Sequence, residues 1–218
     1  AEVAHIRGKT ERLWNGETGP DGGKLRSLGA STAVSFKHTA SGLMLDTELA
    51  YASGDNDAYD DVSRTFFMHS DHQLGLILFD QALPLISARS VQQASDPDLI
   101  GQPPSGLRFT EAKGGLTNAL AVNPVLVWQT EWPVSVRLGW LQARSAGDAV
   151  DVYQTAQNGG YNTTVGGDSP GSRDLGGELD AGIRYTPALG QYFTLGLVAE
   201  GGVFFPGEAF SGVIENPI

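Results

Sequence analysis

The stretch Leu43 to Ala52, LMLDTELAYA, sets Leu43, Leu45, Leu49 and Tyr51 on odd positions and Met44, Asp46, Glu48 and Ala50 on even ones. Successive side chains of a strand point to opposite faces, so this is a ribbon with one apolar and one carboxylate-bearing face. Such a ribbon can line a soluble core, or it can stand in lipid with a wet interior behind it. The chain has no run of about 18 or more apolar residues, which excludes a transmembrane helix. Spanning β-strands pass that test unseen, because they alternate.

Three hairpins follow from the same periodicity. In STAVSFKHTASGLMLDTELAYASG, Ser41-Gly42 predicts a two-residue turn that pairs 40 with 43. Phe36 and Val34 then join the Leu43 face, Lys37 falls opposite Asp46, and Ser35 falls opposite Glu48. In NALAVNPVLVWQTEWPVSVRLGWLQAR, even positions carry Leu120, Val122, Leu126, Trp128, Val134, Val136, Leu138 and Trp140. A turn over Glu131-Trp132-Pro133 pairs 130 with 134 and keeps both sets on one face. In LGGELDAGIRYTPALGQYFTLGLVAEGGVFFPG, Leu179, Ile183, Tyr185, Phe193, Leu197, Val203 and Phe205 alternate with Glu178, Asp180, Arg184 and Glu200. Its turn falls at about 186 to 191, and the register across it stays open.

Long polar segments separate the hairpins, with outer loops near 53–64 and 145–174. They leave from strand ends opposite the tight turns. Residues 64 to 79 predict one or two further strands, and 81 to 95 a short helix or plug. Short turns at one end and long loops at the other are the asymmetry of an outer-membrane barrel. Strand length agrees: ten residues at roughly 3.3 Å, tilted by about 45°, rise about 23 Å, close to an apolar band of about 25 Å. Aromatics cluster at both strand ends, with Trp128, Trp132, Tyr185, Tyr192 and Phe193 by the turns and Tyr51 and Phe205 at the far ends. Amphipathic rings favour the membrane–water interface, so these seven form a candidate pair of girdles. The expected fold is all-β, a single antiparallel up-and-down transmembrane β-barrel domain over 1–218. It has about eight strands, the first near 3–13, and the chain is a candidate fragment of a larger barrel. A soluble β-sandwich is the competing architecture.

Charge narrows the functional classes. With 14 Lys and Arg against 25 acids and a net charge of −11, no phosphate-tracking surface for nucleic acid is expected. The absence of cysteine excludes a disulfide framework, thiolate metal sites and a cysteine nucleophile.

The segments LDTELAYASGDND, HQLGLILFDQ, LGGELDAGIRYTP and GGVFFPGEAF resemble the alginate-export type of outer-membrane β-barrel and related proteobacterial porin-like families. The resemblance implies a Gram-negative outer-membrane location and passage of a polar solute or polysaccharide. Its implied partners are outer-membrane lipid and lipopolysaccharide, with envelope proteins as further candidates. The chain departs from that pattern in charge, since a polyanion exporter calls for a basic lumen and this sequence is acidic.

Motifs that suggest chemistry have plainer readings. Gly167-Asp168-Ser169-Pro170-Gly171 matches the nucleophile elbow in form, yet the elbow needs the N–H after serine for its oxyanion hole and Pro170 has none. Asp55, Asp57, Asp60 and Asp61 offer hard oxygen ligands for a weak Ca²⁺ site in an outer loop, without EF-hand spacing. His69, Asp71 and His72 could ligate a metal, but an extended chain sends His69 and His72 to opposite faces. No enzyme is expected, and no cofactor beyond that Ca²⁺ candidate. The wet face gathers Lys37, Asp46, Glu48, Arg137, Glu178, Asp180, Arg184 and Glu200, five acids against three bases, as candidate lumen residues with mild cation preference. The function expected is a porin or exporter-like channel. The alternative is a non-conducting structural or adhesin-type barrel, or a subunit of an envelope assembly.

Overall fold

The computed structural model describes residues 1–10, 23–56, 62–69, 71–72, 74–82, 115–149, 163–164, 171–189 and 192–211. Its strands are β1 (Glu2–Thr10), β2 (Gly23–His38), β3 (Leu43–Ala52), β4 (Val62–Ser63), β5 (Ala119–Gln129), β6 (Val134–Ser145), β7 (Asp174–Tyr185), β8 (Ala188–Leu189), β9 (Phe193–Thr194) and β10 (Leu197–Pro206). Eight of them form one sheet in the order β1-β2-β3-β5-β6-β7-β10, with β4 lying parallel against β2. Every neighbouring pair along that order is antiparallel. The predicted all-β antiparallel sheet of about eight strands is present; among the described residues it is open, with β1 and β10 as edges and no seam closing it into a barrel.

The ladders decide the hairpin registers. The second hairpin forms as its sequence predicts: Gln129 pairs with Ser135, and the Thr130 N–H donates to the Val134 carbonyl across 3.1 Å. The first does not. His38 pairs with Leu43 and Phe36 with Leu45, so residues 39–42 all belong to the turn and the register moves by two. Gly42 carries the turn at φ +67, where a Cβ would lie 2.1 Å from the Gln129 carbonyl oxygen, so the next hairpin packs against this glycine. A shift of two preserves the faces. It moves Lys37 opposite Met44 and Asp46 opposite Ser35, which overturns the predicted Lys37–Asp46 and Ser35–Glu48 pairings. In the third hairpin Tyr185 pairs with Leu197, and β8 and β9 extend the same ladder beyond the main sheet, with Leu189 opposite Phe193.

Register thus sorts side chains into two faces across the whole sheet. On one, a single row runs Phe36, Leu45, Leu126, Leu138, and the next runs Leu43, Trp128, Val136, Ile183. This face is bare: Phe36 is 69% exposed, and Leu45, Trp128, Leu138 and Ile183 are exposed too. Pro124 sits on it within a central strand, and the β5–β6 ladder skips Asn123 and Pro124, because proline has no N–H to give.

The core lies on the opposite, inner face and only at the end of the sheet bearing the long connections. There the wall carries small residues, Ala50, Ala52, Ala119, Ala121 and Ala143, and the segment from Phe66 to Ala82 fills the space they leave. Residues 64 to 79 were expected as strands. Instead the segment makes an isolated bridge from Phe67 to Thr117, a turn at His69–His72, and a π-helical turn at Leu78–Ala82. Leu74, Leu78, Phe79 and Ala82 all bury against the alanine-lined wall instead of alternating between two faces. The helical turn begins earlier than the plug predicted at 81–95; residues 83–95 lie outside the described ones.

Phe66 lies over Gly29 of β2, where a Cβ would sit 2.1 Å from its ring. Gly29→Val should therefore expel the ring from the core and destabilise the fold by about 1–3 kcal/mol, the usual range for an overpacked site. Denaturant unfolding of the variant beside the parent measures this.

Candidate functional site

The inner face is built in rows by the ladders. One runs Lys37, Met44, Val127, Arg137, Gly182, Glu200, and the next Ser35, Asp46, Val125, Gly139, Asp180, Gly202. Arg184 adjoins the first row, opposite Ser135 and Val198, while Glu48 and Glu178 lie beyond the second, with Glu48 opposite Asn123. All eight predicted lumen residues therefore share one face. They do not share one environment.

Towards the tight turns Lys37, Arg137, Arg184 and Glu200 are exposed and Asp46 half-buried. Towards the long connections Glu178 is fully buried and Asp180 nearly so, at 0% and 5% exposure, beneath the 66–82 segment. The Glu178 carboxyl accepts three backbone hydrogen bonds from that segment: Leu76 N–H and Ile77 N–H on Oε1, and Leu78 N–H on Oε2, the last two at 2.8 Å. Successive N–H groups converging on one carboxylate form an anion-binding nest, and here the anion is the wall's own side chain. Gly75 makes the approach possible, with φ +71 and a hypothetical Cβ only 2.8 Å from Glu178 Oε2.

A second tie joins the same two bodies, His72 Nε2 to Glu48 Oε1 at 3.1 Å. Its angle falls short of a hydrogen bond, so the contact is one of proximity. Asp180 Oδ1 and Asn123 Oδ1 are buried with no hydrogen-bond partner. Gly202 leaves the room that Asp180 occupies, since a Cβ there would stand 2.4 Å from its Oδ1.

The other candidates separate from this site. Asp55 is taken by Arg64, whose backbone N–H donates to Oδ2 at 3.0 Å and whose Nη1 reaches Oδ1 at 3.3 Å. Its companions in the proposed Ca²⁺ set, Asp57, Asp60 and Asp61, lie outside the described residues, as do Asp168, Ser169 and Pro170. His69 and Asp71 face each other at 3.5 Å on the surface, and His72 turns inward to Glu48. Among the described residues no group of three His, Asp or Glu side chains is arranged to hold a metal ion.

The aromatic candidates occupy both ends of the bare face. Trp128, Trp132, Tyr185, Tyr192 and Phe193 stand exposed at the turn end. At the other end Tyr51 is half-buried and Phe205 meets Trp140 at 6.3 Å between ring centroids. Sequence parity puts Trp140 on the apolar face, where it adds an eighth ring to the seven girdle candidates. It covers Gly177, whose Cβ would lie 2.7 Å from its ring, the aromatic shielding of a strand glycine. Glu178 as an anchor was missed as well, because its partners are backbone amides 100 or more residues away.

Searches against protein-family models and against curated proteins find no match to this chain.

Glu178→Gln would turn one acceptor into an NH₂ group facing buried N–H donors. Hydrogen bonds to a charged acceptor contribute about 1.5–3 kcal/mol, so the amides of residues 76–78 should exchange with solvent about tenfold faster or more, read by hydrogen–deuterium exchange.

Proposed function

We propose that this chain forms the wall of a Gram-negative outer-membrane β-barrel, of the porin or alginate-export kind that its sequence resembles, with the 66–82 segment as an inner plug. It is a channel protein rather than an enzyme, and its solute is small and polar or a polysaccharide. The observation that carries this reading is the bare apolar face. A soluble monomer rarely leaves an apolar patch larger than a few hundred Å² uncovered, and here the face continues from β2 to β10 without interruption by a carboxylate on β2, β3, β5 or β6. Aromatic rings at both of its ends, and carboxylates kept behind it on β2, β3, β5 and β6, support the same conclusion.

The plug refines the selectivity expected from the sequence. With Glu178 and Asp180 buried and Glu48 against His72, the exposed part of the interior presents Lys37, Arg137 and Arg184 against Asp46 and Glu200. That set is close to balanced, so selectivity is weak and depends on single charges. The same burial favours one second reading, a non-conducting structural or adhesin-type barrel, because an anchored core already fills the end with the long connections.

Two measurements test the reading. Tryptophan fluorescence of the reconstituted protein should be quenched by brominated phospholipid, since Trp128 and Trp140 face outward; monodisperse behaviour in buffer without detergent would remove the membrane reading. In planar bilayers, Asp46→Lys should move the reversal potential towards anion preference, and an absence of conductance before and after Glu178→Gln favours the filled structural barrel.

A further inference from the structure

The bare face changes character at one place. Along β1 and β2 its outward positions read Val3, His5, Arg7, Lys9 and Ala30, Leu28, Arg26, Lys24, and the ladder sets Arg7 opposite Arg26 and Lys9 opposite Lys24. Like charges directly opposite one another destabilise a strand pair unless an anion lies between them. The outward positions of β1, β2 and β3 carry no carboxylate at all. Among the described residues no acid lies within ion-pair distance of Arg7, Lys9 or Arg26, and all three side chains are exposed. In a chain of net charge −11, Arg7, Lys9 and Arg26 gathered on one hairpin face are a local inversion of sign.

We propose that Arg7, Lys9 and Arg26 form a binding site for the phosphate groups of a phosphorylated lipid headgroup. The neighbouring surface identifies the ligand as amphipathic: below the cations the same face passes Leu28 and Val3 and continues through exposed Val34 and Phe36, a bed for acyl chains. Depth agrees. Arg26 stands four residues beyond Ala30, which pairs with the girdle residue Tyr51, or about 13 Å along the strand at roughly 3.3 Å per residue. That carries the guanidinium from the interfacial ring to the headgroup layer, at the end with the long connections. Two guanidinium forks can each bind phosphate oxygens bidentately, with the Lys9 ammonium adding a point charge. This inference rests on the membrane-barrel reading and adds to it a specific lipid chemistry on its outer surface.

The test titrates the full chain in detergent with diphosphoryl lipid A, with its dephosphorylated form and with inorganic phosphate, following bound adducts by native mass spectrometry. Diphosphoryl lipid A should bind preferentially, and R7Q/R26Q should weaken it by about tenfold or more, with R7K/R26K, which keep the charge and lose the forks, restoring only part of the loss. Equal binding of the dephosphorylated lipid would overturn the proposal, as would unchanged binding to R7Q/R26Q or inorganic phosphate binding as tightly as the lipid. Quenching by brominated phospholipid in the same preparation separates the two levels: quenched tryptophans without phosphate preference defeat this site alone, and unquenched tryptophans defeat the membrane reading and the site with it.

Discussion

Continuous ladder register is the constraint from which the rest of this structure follows. Each backbone hydrogen bond between neighbouring strands fixes which side chains stand side by side, and a slip of a single residue on any strand would carry its leucines inward and its carboxylates outward. The outward rows run without such a slip from β2 to β6, so Phe36, Leu45, Leu126 and Leu138 line up across four strands, and the one-residue shift falls between β6 and β7 at Ala143 and Arg144, at the end with the long connections. Even the two-residue difference in the first hairpin obeys this rule, because it leaves every side chain on its own side.

The inner face is governed by volume as much as by charge. Alanines at one end of β3, β5 and β6 and a glycine in β2 make a shallow bed, and Phe66, Leu74, Leu78 and Phe79 fill it. Filling it requires a chain to run across the wall with unpaired amides, and Glu178 satisfies three of them from beneath. The rim is tied together by side chains. Asn118, at φ 44, accepts from Gly147 N–H at 2.7 Å, and Asp148 joins Arg173 at 3.2 Å.

The strands and their two faces were legible in the sequence because alternation is a local signal and survives errors of register. The second hairpin's turn was legible too, since Pro133 and the flanking pattern leave little choice. The first turn was not: Ser41-Gly42 suggests a two-residue loop, but the approach of Gln129 to Gly42 selects a wider one, and that contact joins residues far apart in sequence. The 66–82 segment misled for a related reason. Its apolar residues suit a strand or a buried loop equally, and the alanine bed that decides between them lies on other strands. Among the site residues, parity placed all eight charges on one face, while their division into covered and open groups depended on that segment.

The order of the seven long strands has a topological corollary. Antiparallel neighbours alternate in direction, so the first and seventh members of such a row, β1 and β10, point the same way. Pressing these two edges together would make a parallel seam. A cylinder antiparallel all the way round holds an even number of staves, so these seven by themselves would not make one.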